Sequence, residues 1–191
     1  MDITSYLLGK KSSGGGGGTS IENAFLDGTI AVVGDSVTKI IKSIDGSKLN
    51  ITSNNISSLF SKCYNLESVT SLDLVNVVNT NSLFNDCRKL TNVSLLNTSN
   101  LQYIEKMFYY CLVLEDIPML DTSKVSNMSN TFSACPNLTN KSLNNIMRMC
   151  INSKVTTKTL KYVGLSSTQA TTCTTLSNYQ DLLSAGWTTG Y

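Results

Sequence analysis

The residues of this chain that could do chemistry are six cysteines and thirteen carboxylates, because the chain has no histidine. Without histidine, neither a Ser-His nor a Cys-His nucleophile pair can form, and the commonest transition-metal ligand is missing. Glu115 and Asp116 are adjacent, so in a strand their side chains face opposite sides and cannot share a substrate proton. Two carboxylates from distant parts of the chain could still form a glycoside-hydrolase pair, but no spacing in the sequence indicates one. We therefore predict no enzymatic activity, no catalytic residue and no cofactor.

Four of the six cysteines lie 24 residues apart, at Cys63, Cys87, Cys111 and Cys135. Three interpretations fit this spacing: stacked buried thiols, disulfides between neighbouring units, and metal ligands. A spacing of 24 residues is a repeat period and is not typical of zinc ligands. Free cysteine behaves as a small hydrophobic residue when it lies among apolar neighbours. We therefore expect free, buried thiols and no bound metal.

The cysteines belong to a repeat in which phenylalanine, cysteine and leucine recur with one period. We call these residues the structural ladder: Phe60, Phe84, Phe108 and Phe132; Cys63, Cys87, Cys111 and Cys135; Leu66, Leu90, Leu114 and Leu138. The three-residue spacing within each unit suits a helical or 3-10 turn that leads into a short strand. One unit cannot enclose its own apolar face, so neighbouring units must stack. The sequence predicts an α/β solenoid, a leucine-rich-repeat-like stack of about four 24-residue units.

Further apolar residues follow the same period and are also expected to be buried. They form the rows Val69, Val93 and Ile117; Leu72, Leu96 and Leu120; and Val77, Leu101 and Val125. The row at the start of each unit runs Leu59, Leu83 and Met107, and Thr131 interrupts it. The fourth unit is therefore expected to be changing into a cap.

The repeat fades towards the amino terminus, which predicts a β-rich N-terminal cap over residues 21–58. This cap includes the apolar run at residues 29–33 and the short segment at 49–51. The Asp45-Gly46 pair is typical of a tight turn, so we expect it to join two strands of the cap.

The solenoid is predicted to span residues 59–152 and to end in an amphipathic helix, because Leu143, Ile146, Met147 and Cys150 share one helical face. Residues 153–191 are predicted to form a helical C-terminal cap. Within it, one helix is expected from Ser167 to about Leu176 and another from near Ser177 to Gly186, with Trp187 packed back on the second.

The opening of the chain has a different composition from the repeats. Residues 12–20 are glycine- and serine-rich and are predicted to be a flexible linker. The glycine run lacks the Lys-Ser/Thr ending of a P-loop, so it does not indicate a phosphate site. Residues 1–11 carry Ile3, Tyr6, Leu7 and Leu8. They are either a disordered tail or a docking peptide that orders on a partner assembly.

The surface most suited to binding is the outward face of the predicted sheet. Alternation around the inward valine and isoleucine row places six residues on that face: Ser68, Thr70, Asn92, Ser94, Asp116 and Pro118. This row is small, largely neutral and shallow. It could bind a peptide or a sugar chain, or it could be a solvated sheet without a ligand.

Charge and hydropathy exclude some partners. The net charge is +2 and only 15% of the residues are charged, which argues against binding nucleic acid or an acidic lipid surface. The opening residues do not resemble a signal peptide, and no stretch is long enough to insert into a membrane. We therefore expect synthesis in a bacterial cytoplasm. Association with further copies of the chain stays open.

The unit that begins Met107-Phe-Tyr-Tyr-Cys-Leu-Val-Leu resembles the repeats of BspA-like leucine-rich-repeat surface proteins, which share its aromatic-x-x-Cys-x-x-Leu core and its Asp-Thr-Ser-x-Val-x-x-Met stretch. The likeness covers about half of the chain. It implies a leucine-rich-repeat fold and a role as an adhesin or protein-interaction module on a bacterial cell surface. The chain departs from those proteins in that no secretion signal or anchor is recognised.

The two ends resemble other proteins. Residues 1–11 with the glycine tract are similar to the opening of small virion proteins of tailed phages of Gram-positive bacteria, and residues 178–191 are similar to the ends of phage repeat proteins. This resemblance implies a virion structural protein on the tail or head surface. Residues 1–11 would then contact other virion proteins, and the repeats would be displayed towards a host glycan or protein.

Overall fold

The computed structural model describes residues 42–49, 51, 53–156 and 163–189. In these residues a parallel sheet is formed by β1 (Ser43–Asp45), β2 (Ser68–Asp73) and β3 (Asn92–Leu96), in that order across the sheet. Two 3-10 turns, Gly46–Lys48 and Thr98–Asn100, follow β1 and β3.

Three α-helices follow the strands in the described part of the chain: α1 (Asn140–Asn152), α2 (Ser167–Cys173) and α3 (Tyr179–Ser184). All three were expected from the sequence. Helix α2 is shorter than expected, and the N-cap of α3 is Asn178. The Thr139 hydroxyl caps α1 by accepting a hydrogen bond from the Ser142 amide.

Neighbouring units contact each other in parallel with the period of the repeat. Ser68 of β2 pairs with Asn92 of β3, which forms a further bridge with Asp116. A second line of parallel bridges joins Asn55 to Asn79, Asn79 to Tyr103, and Tyr103 to Asn127. These bridges fall on two sides of each unit. The leucine-rich-repeat-like solenoid nevertheless stays a prediction as a fold class, and what is described is a three-stranded parallel sheet with three helices.

All twelve residues of the structural ladder are buried. The phenylalanine rings stack along the row, with centroids 5.7 Å apart for Phe60 and Phe84, 5.6 Å for Phe84 and Phe108, and 6.1 Å for Phe108 and Phe132. The interplanar angles of 12° to 14° make these offset parallel stacks. The aromatic row therefore forms the continuous centre of the core.

The six cysteines are free and buried. Three of them donate a hydrogen bond from Sγ to the carbonyl oxygen of the phenylalanine in the preceding unit: Cys87 to Phe60 at 3.1 Å, Cys111 to Phe84 at 3.2 Å, and Cys135 to Phe108 at 3.0 Å. The thiol thus fills a small space and also bonds to a main-chain oxygen of its neighbour.

The segment between the two lines of bridges has the three-residue hydrogen bonds expected of a 3-10 turn, but it does not form a continuous helix. It consists of consecutive turns closed by bonds between residues three apart, such as Cys63 N to Phe60 O at 3.3 Å. Within this segment, each unit has two residues with positive φ, four positions apart, namely Ser58 and Lys62, Ser82 and Asp86, Lys106 and Tyr110, and Asn130 and Ala134. A left-handed residue cannot continue a right-handed helix, so the segment stays a chain of turns.

The prediction that Leu96 is buried with Leu72 and Leu120 is wrong. Leu72 pairs with Leu95, which is buried, while Leu96 pairs with Asp73 and is 45% exposed. The cause is a bulge in β2, where Ser71 has a φ of 50° and adds one residue between Val69 and Leu72. Asn97, with a φ of 54°, restores the period before Leu101.

The predicted turn at Asp45-Gly46 does not join two antiparallel strands. Strand β1 pairs in parallel with β2, and the chain continues from it into a 3-10 turn whose N-cap is Asp45. Glycine is required at position 46 because a Cβ there would lie 2.4 Å from Cα of Leu72. The rest of the expected N-terminal cap before residue 42, including 29–33, lies outside the described residues, as do residues 1–20.

The carboxyl-terminal region packs on the last unit of the repeat. Nε2 of the buried Gln169 in α2 donates a hydrogen bond of 2.7 Å to the carbonyl oxygen of Cys135. Trp187 is buried, as expected, and its amide donates to the Leu182 carbonyl at 3.1 Å. This region therefore covers the end of the structural ladder.

Candidate binding surfaces

The six residues predicted to line the sheet face are not all equally accessible. Thr70, Asn92, Ser94 and Asp116 are exposed, whereas Ser68 and Pro118 are half-buried. Ser68, Asn92 and Asp116 are brought into one row by the parallel register. Pro118 belongs to a segment without regular strand structure, so alternation fails there.

We use the name sheet side for residues 67–73, 91–97 and 115–121, which include β2, β3 and the corresponding segment of the third unit. Its charge differs from the neutral surface expected. It contains five exposed carboxylates and no lysine or arginine: Glu67, Asp73, Glu115, Asp116 and Asp121. The near-neutral whole chain therefore has one acidic side. The repeat period relates Glu67 to Glu115 and Asp73 to Asp121. This recurrence is the sequence signal from which the acidic side could have been predicted.

Large apolar side chains are exposed on the same side. Leu96 is 45% exposed and Met119 is 41% exposed, and Val75, two residues beyond Asp73, is 47% exposed. None of the three is predicted as exposed from the sequence, because the repeat period places Leu96 in the core and because Met119 and Val75 belong to no apolar row.

Hydrogen bonds between units hold the polar groups of the sheet side. Asn97 Nδ2 donates to Asp73 Oδ1 at 2.9 Å, and the Thr139 hydroxyl donates to Asp116 Oδ1 at 3.1 Å. The Ser123 hydroxyl and amide hold the pKa of Asp121 below its usual range. The side chains of Asp73, Asp116 and Asp121 are thus partly fixed in position.

The turns that contain the positive-φ residues form a second surface, with mixed charge. Arg88 Nε lies 2.7 Å from Asp86 Oδ1, and this contact raises the pKa of the guanidinium. The same guanidinium lies over the Tyr64 ring, 5.2 Å from its centroid. Lys89 Nζ donates to Asn65 Oδ1 in the preceding unit at 2.8 Å. The basic side chains of this surface are therefore largely engaged by other residues of the same surface.

Among the described residues, no group of three or more histidine, cysteine or carboxylate side chains is placed to hold a metal ion. No helix in the described ranges is long and apolar enough to cross a membrane.

Parallel pairing between units and a periodic buried core define a protein built from repeats. Residues 35–160, about two thirds of the chain, match the model of the family described as Mycoplasma protein of unknown function, DUF285. The chain belongs to this family. The membership supports, at the level of a repeat family, the likeness to BspA-like proteins.

No curated protein and no solved structure matches the chain. The phage-like ends lie outside the matched residues, and their origin stays a prediction.

Proposed function

We propose that this chain is a leucine-rich-repeat-like interaction module that binds a basic protein surface through its sheet side. The observation that carries the proposal is the exposure of Leu96 and Met119 on a side whose three segments carry five carboxylates and no lysine or arginine. The solenoid assignment is supported by the parallel bridges at the repeat period.

Apolar anchors surrounded by charge suit a protein partner. Exposed apolar side chains grouped on one side of a protein are typical of interaction sites, and complementary charge steers the partner into register. A basic protein would satisfy the carboxylates, while Leu96 and Met119 would lose contact with water. An enzyme function has no supporting group of residues in the described part of the chain, and its absence stays a prediction.

The proposal is tested with purified chain on an array of host surface proteins, followed by titration of each positive by surface plasmon resonance. The variant Leu96→Ser with Asp116→Lys is expected to weaken binding at least tenfold. Salt screens the charge attraction that steers a partner. Raising the salt concentration from 50 to 500 mM, which shortens the Debye length from about 14 to about 4 Å, should therefore reduce the association rate of the unmodified chain more than that of the variant.

The matched control is Tyr110→Ser, which removes an exposed large side chain from the turns. It should bind as the unmodified chain does. Equal binding by the sheet-side variant and the unmodified chain would overturn the proposal, as would an absence of any positive on the array.

A second candidate, display on a phage particle, is favoured by the apolar residues 1–11 followed by a glycine tract. We propose that Ile3, Tyr6, Leu7 and Leu8 contact other virion proteins and that the glycine tract separates the repeats from the particle. Mass spectrometry of purified particles should detect the chain, and deletion of residues 1–11 should prevent its incorporation. Absence from particles, or incorporation that does not depend on residues 1–11, rejects this location.

A further inference from the structure

A cleft lies between the last turns of the repeat and the carboxyl-terminal region. Its volume is about 370 Å³, and the residues used below line it: Tyr109, Asn130, Ser133, Ser166 and Gln169. This volume lies within the range of small-molecule sites. The cleft shares no residue with the sheet side, so it does not depend on the function proposed above.

The floor of the cleft is fixed by hydrogen bonds. Gln169 is buried, and its Nε2 donates to the Cys135 carbonyl at 2.7 Å. Its Oε1 accepts from the Ser166 amide at 3.1 Å and from the Ser166 hydroxyl at 3.0 Å. Ser166 is in turn the N-cap of α2, with both bonds of a capping box. The cleft is therefore preorganised.

The wall of the cleft combines an aromatic ring with neutral polar groups. The Tyr109 ring is half-buried and packs on Tyr110, with 4.8 Å between centroids and an angle of 55°. The Ser133 hydroxyl donates to Asn130 Oδ1 at 3.3 Å. Neither the Tyr109 hydroxyl nor Asn130 Nδ2 makes a hydrogen bond to another described residue. Both groups are thus available to a ligand.

The described part of the lining favours a neutral ligand. No carboxylate, lysine or arginine is among the described residues that line the cleft. A buried ion without a partner would carry a large desolvation cost. A sugar ring has one apolar face that can lie on an aromatic ring and hydroxyls that can bond to amides and hydroxyls around it.

We infer that this cleft binds a neutral sugar residue, with the ring against Tyr109 and its hydroxyls bonded to Asn130 and Ser133. The bound unit is a hexose or an N-acetylhexosamine, either free or at the end of a chain. The cleft is open to solvent on one side, which leaves room for an adjoining sugar.

The test is saturation-transfer NMR with the full chain and glucose, galactose, N-acetylglucosamine, N-acetylgalactosamine and their linear tetramers at millimolar concentration. At least one sugar should receive saturation, and its Kd should then be measured by calorimetry. Tyr109→Ala should raise the Kd at least tenfold, and Tyr109→Phe should raise it only two- to threefold because the ring remains. Asn130→Gly should raise it about fivefold, since glycine keeps the φ of 55° while the side-chain amide and its bond to the Ser133 hydroxyl are lost.

The matched control is Tyr103→Ala, which removes an exposed tyrosine from the second line of bridges and should leave the Kd unchanged. The sheet-side variant Leu96→Ser should also bind sugar normally, which separates this site from the protein-binding function. The proposal is overturned if no sugar receives saturation, if Tyr109→Phe and Asn130→Gly both bind as the unmodified chain does, or if the cleft instead takes up a peptide offered at the same concentration.

Discussion

The cysteine of each unit has a role that neither alanine nor leucine could fill. Its thiol occupies a small space beside the phenylalanine row. In Cys87, Cys111 and Cys135 it also donates to the carbonyl of the phenylalanine in the preceding unit, as in the 3.0 Å contact from Cys135 to Phe108. Alanine would lack the donor, and leucine would be too large for the space. The recurrence of cysteine thus follows from packing and hydrogen bonding between units.

Phe108 is the residue on which the stack should depend most, because its ring lies between Phe84 and Phe132. We expect Phe108→Ala to lower the free energy of unfolding by about 3–5 kcal/mol, the usual cost of truncating a buried phenylalanine. Chemical denaturation measures the change. Tyr103→Ala, at an exposed position, is the control and should change stability by less than about 0.5 kcal/mol. A loss below about 1 kcal/mol for Phe108→Ala would contradict the buried row.

The buried thiols should make the protein sensitive to alkali. Burial raises the pKa of the Cys135 thiol from 9.0 to about 12. The unfolded chain therefore loses this proton before the folded one does, so the stabilisation is complete below pH 9 and is lost as the pH rises towards 12. Each pKa unit corresponds to about 1.4 kcal/mol.

We expect the free energy of unfolding to fall less steeply between pH 9 and 11 in Cys135→Ala than in the unmodified chain. All other ionisable groups are common to the two proteins, so the difference between the two curves reports the thiol. Parallel curves would show that the Cys135 thiol is accessible to hydroxide in the folded state. The melting temperature at neutral pH should not change with reductant, because the thiols are free.

At the scale of the element, the turns of each unit depend on left-handed residues that are not glycine. Such a residue is disfavoured by roughly 1–2 kcal/mol relative to its right-handed form. The parallel bonds to the next unit hold it in place, such as Lys62 N to Asn85 O at 2.7 Å. The second left-handed position of the units carries Lys62, Asp86, Tyr110 and Ala134, so it shows no preferred residue type.

Ala134→Gly should therefore raise the free energy of unfolding, by up to about 1 kcal/mol, because its φ of 59° suits glycine and the position is exposed. Thermal and chemical denaturation both measure the effect. Arg148→Gly is the matched control, since it is exposed within α1 and should lose about 1 kcal/mol of stability. A loss of stability in Ala134→Gly would contradict the left-handed conformation.

At the scale of the whole molecule, the repeat and the carboxyl-terminal helices share one hydrophobic core. Trp187 belongs to that core, although it lies far from the repeats in sequence. The helices cover the last residues of the structural ladder and present a polar outer face, as terminal caps do in repeat proteins.

Trp187→Ala should consequently destabilise the repeats as well as the helices. We expect one cooperative transition with a free energy of unfolding about 3–5 kcal/mol lower, followed both by circular dichroism and by hydrogen exchange at the Phe108 amide. Leu183→Ala, at an exposed position in α3, should leave the transition unchanged. An early separate transition of the helices alone would show that they unfold independently of the repeat.

The period, the buried ladder and the helices can be predicted from the sequence alone, because each rests on the spacing of apolar residues or on local capping. The sequence also placed Asp116 and Asn92 in one row, since parallel units keep their register over one period. The bulge at Ser71 could not be foreseen, because a serine with positive φ has no distinguishing neighbours in the sequence. For the same reason Leu96 was assigned to the core.

The sheet side and the cleft were decided only by the tertiary structure. Carboxylates 48 residues apart, such as Glu67 and Glu115, form one acidic side only after the units are paired in parallel. The cleft needs Tyr109 and Asn130 from the repeat together with Ser166 and Gln169 from the carboxyl-terminal region. Local spacing fixes which residues are buried, whereas the contacts between distant segments fix which exposed residues meet.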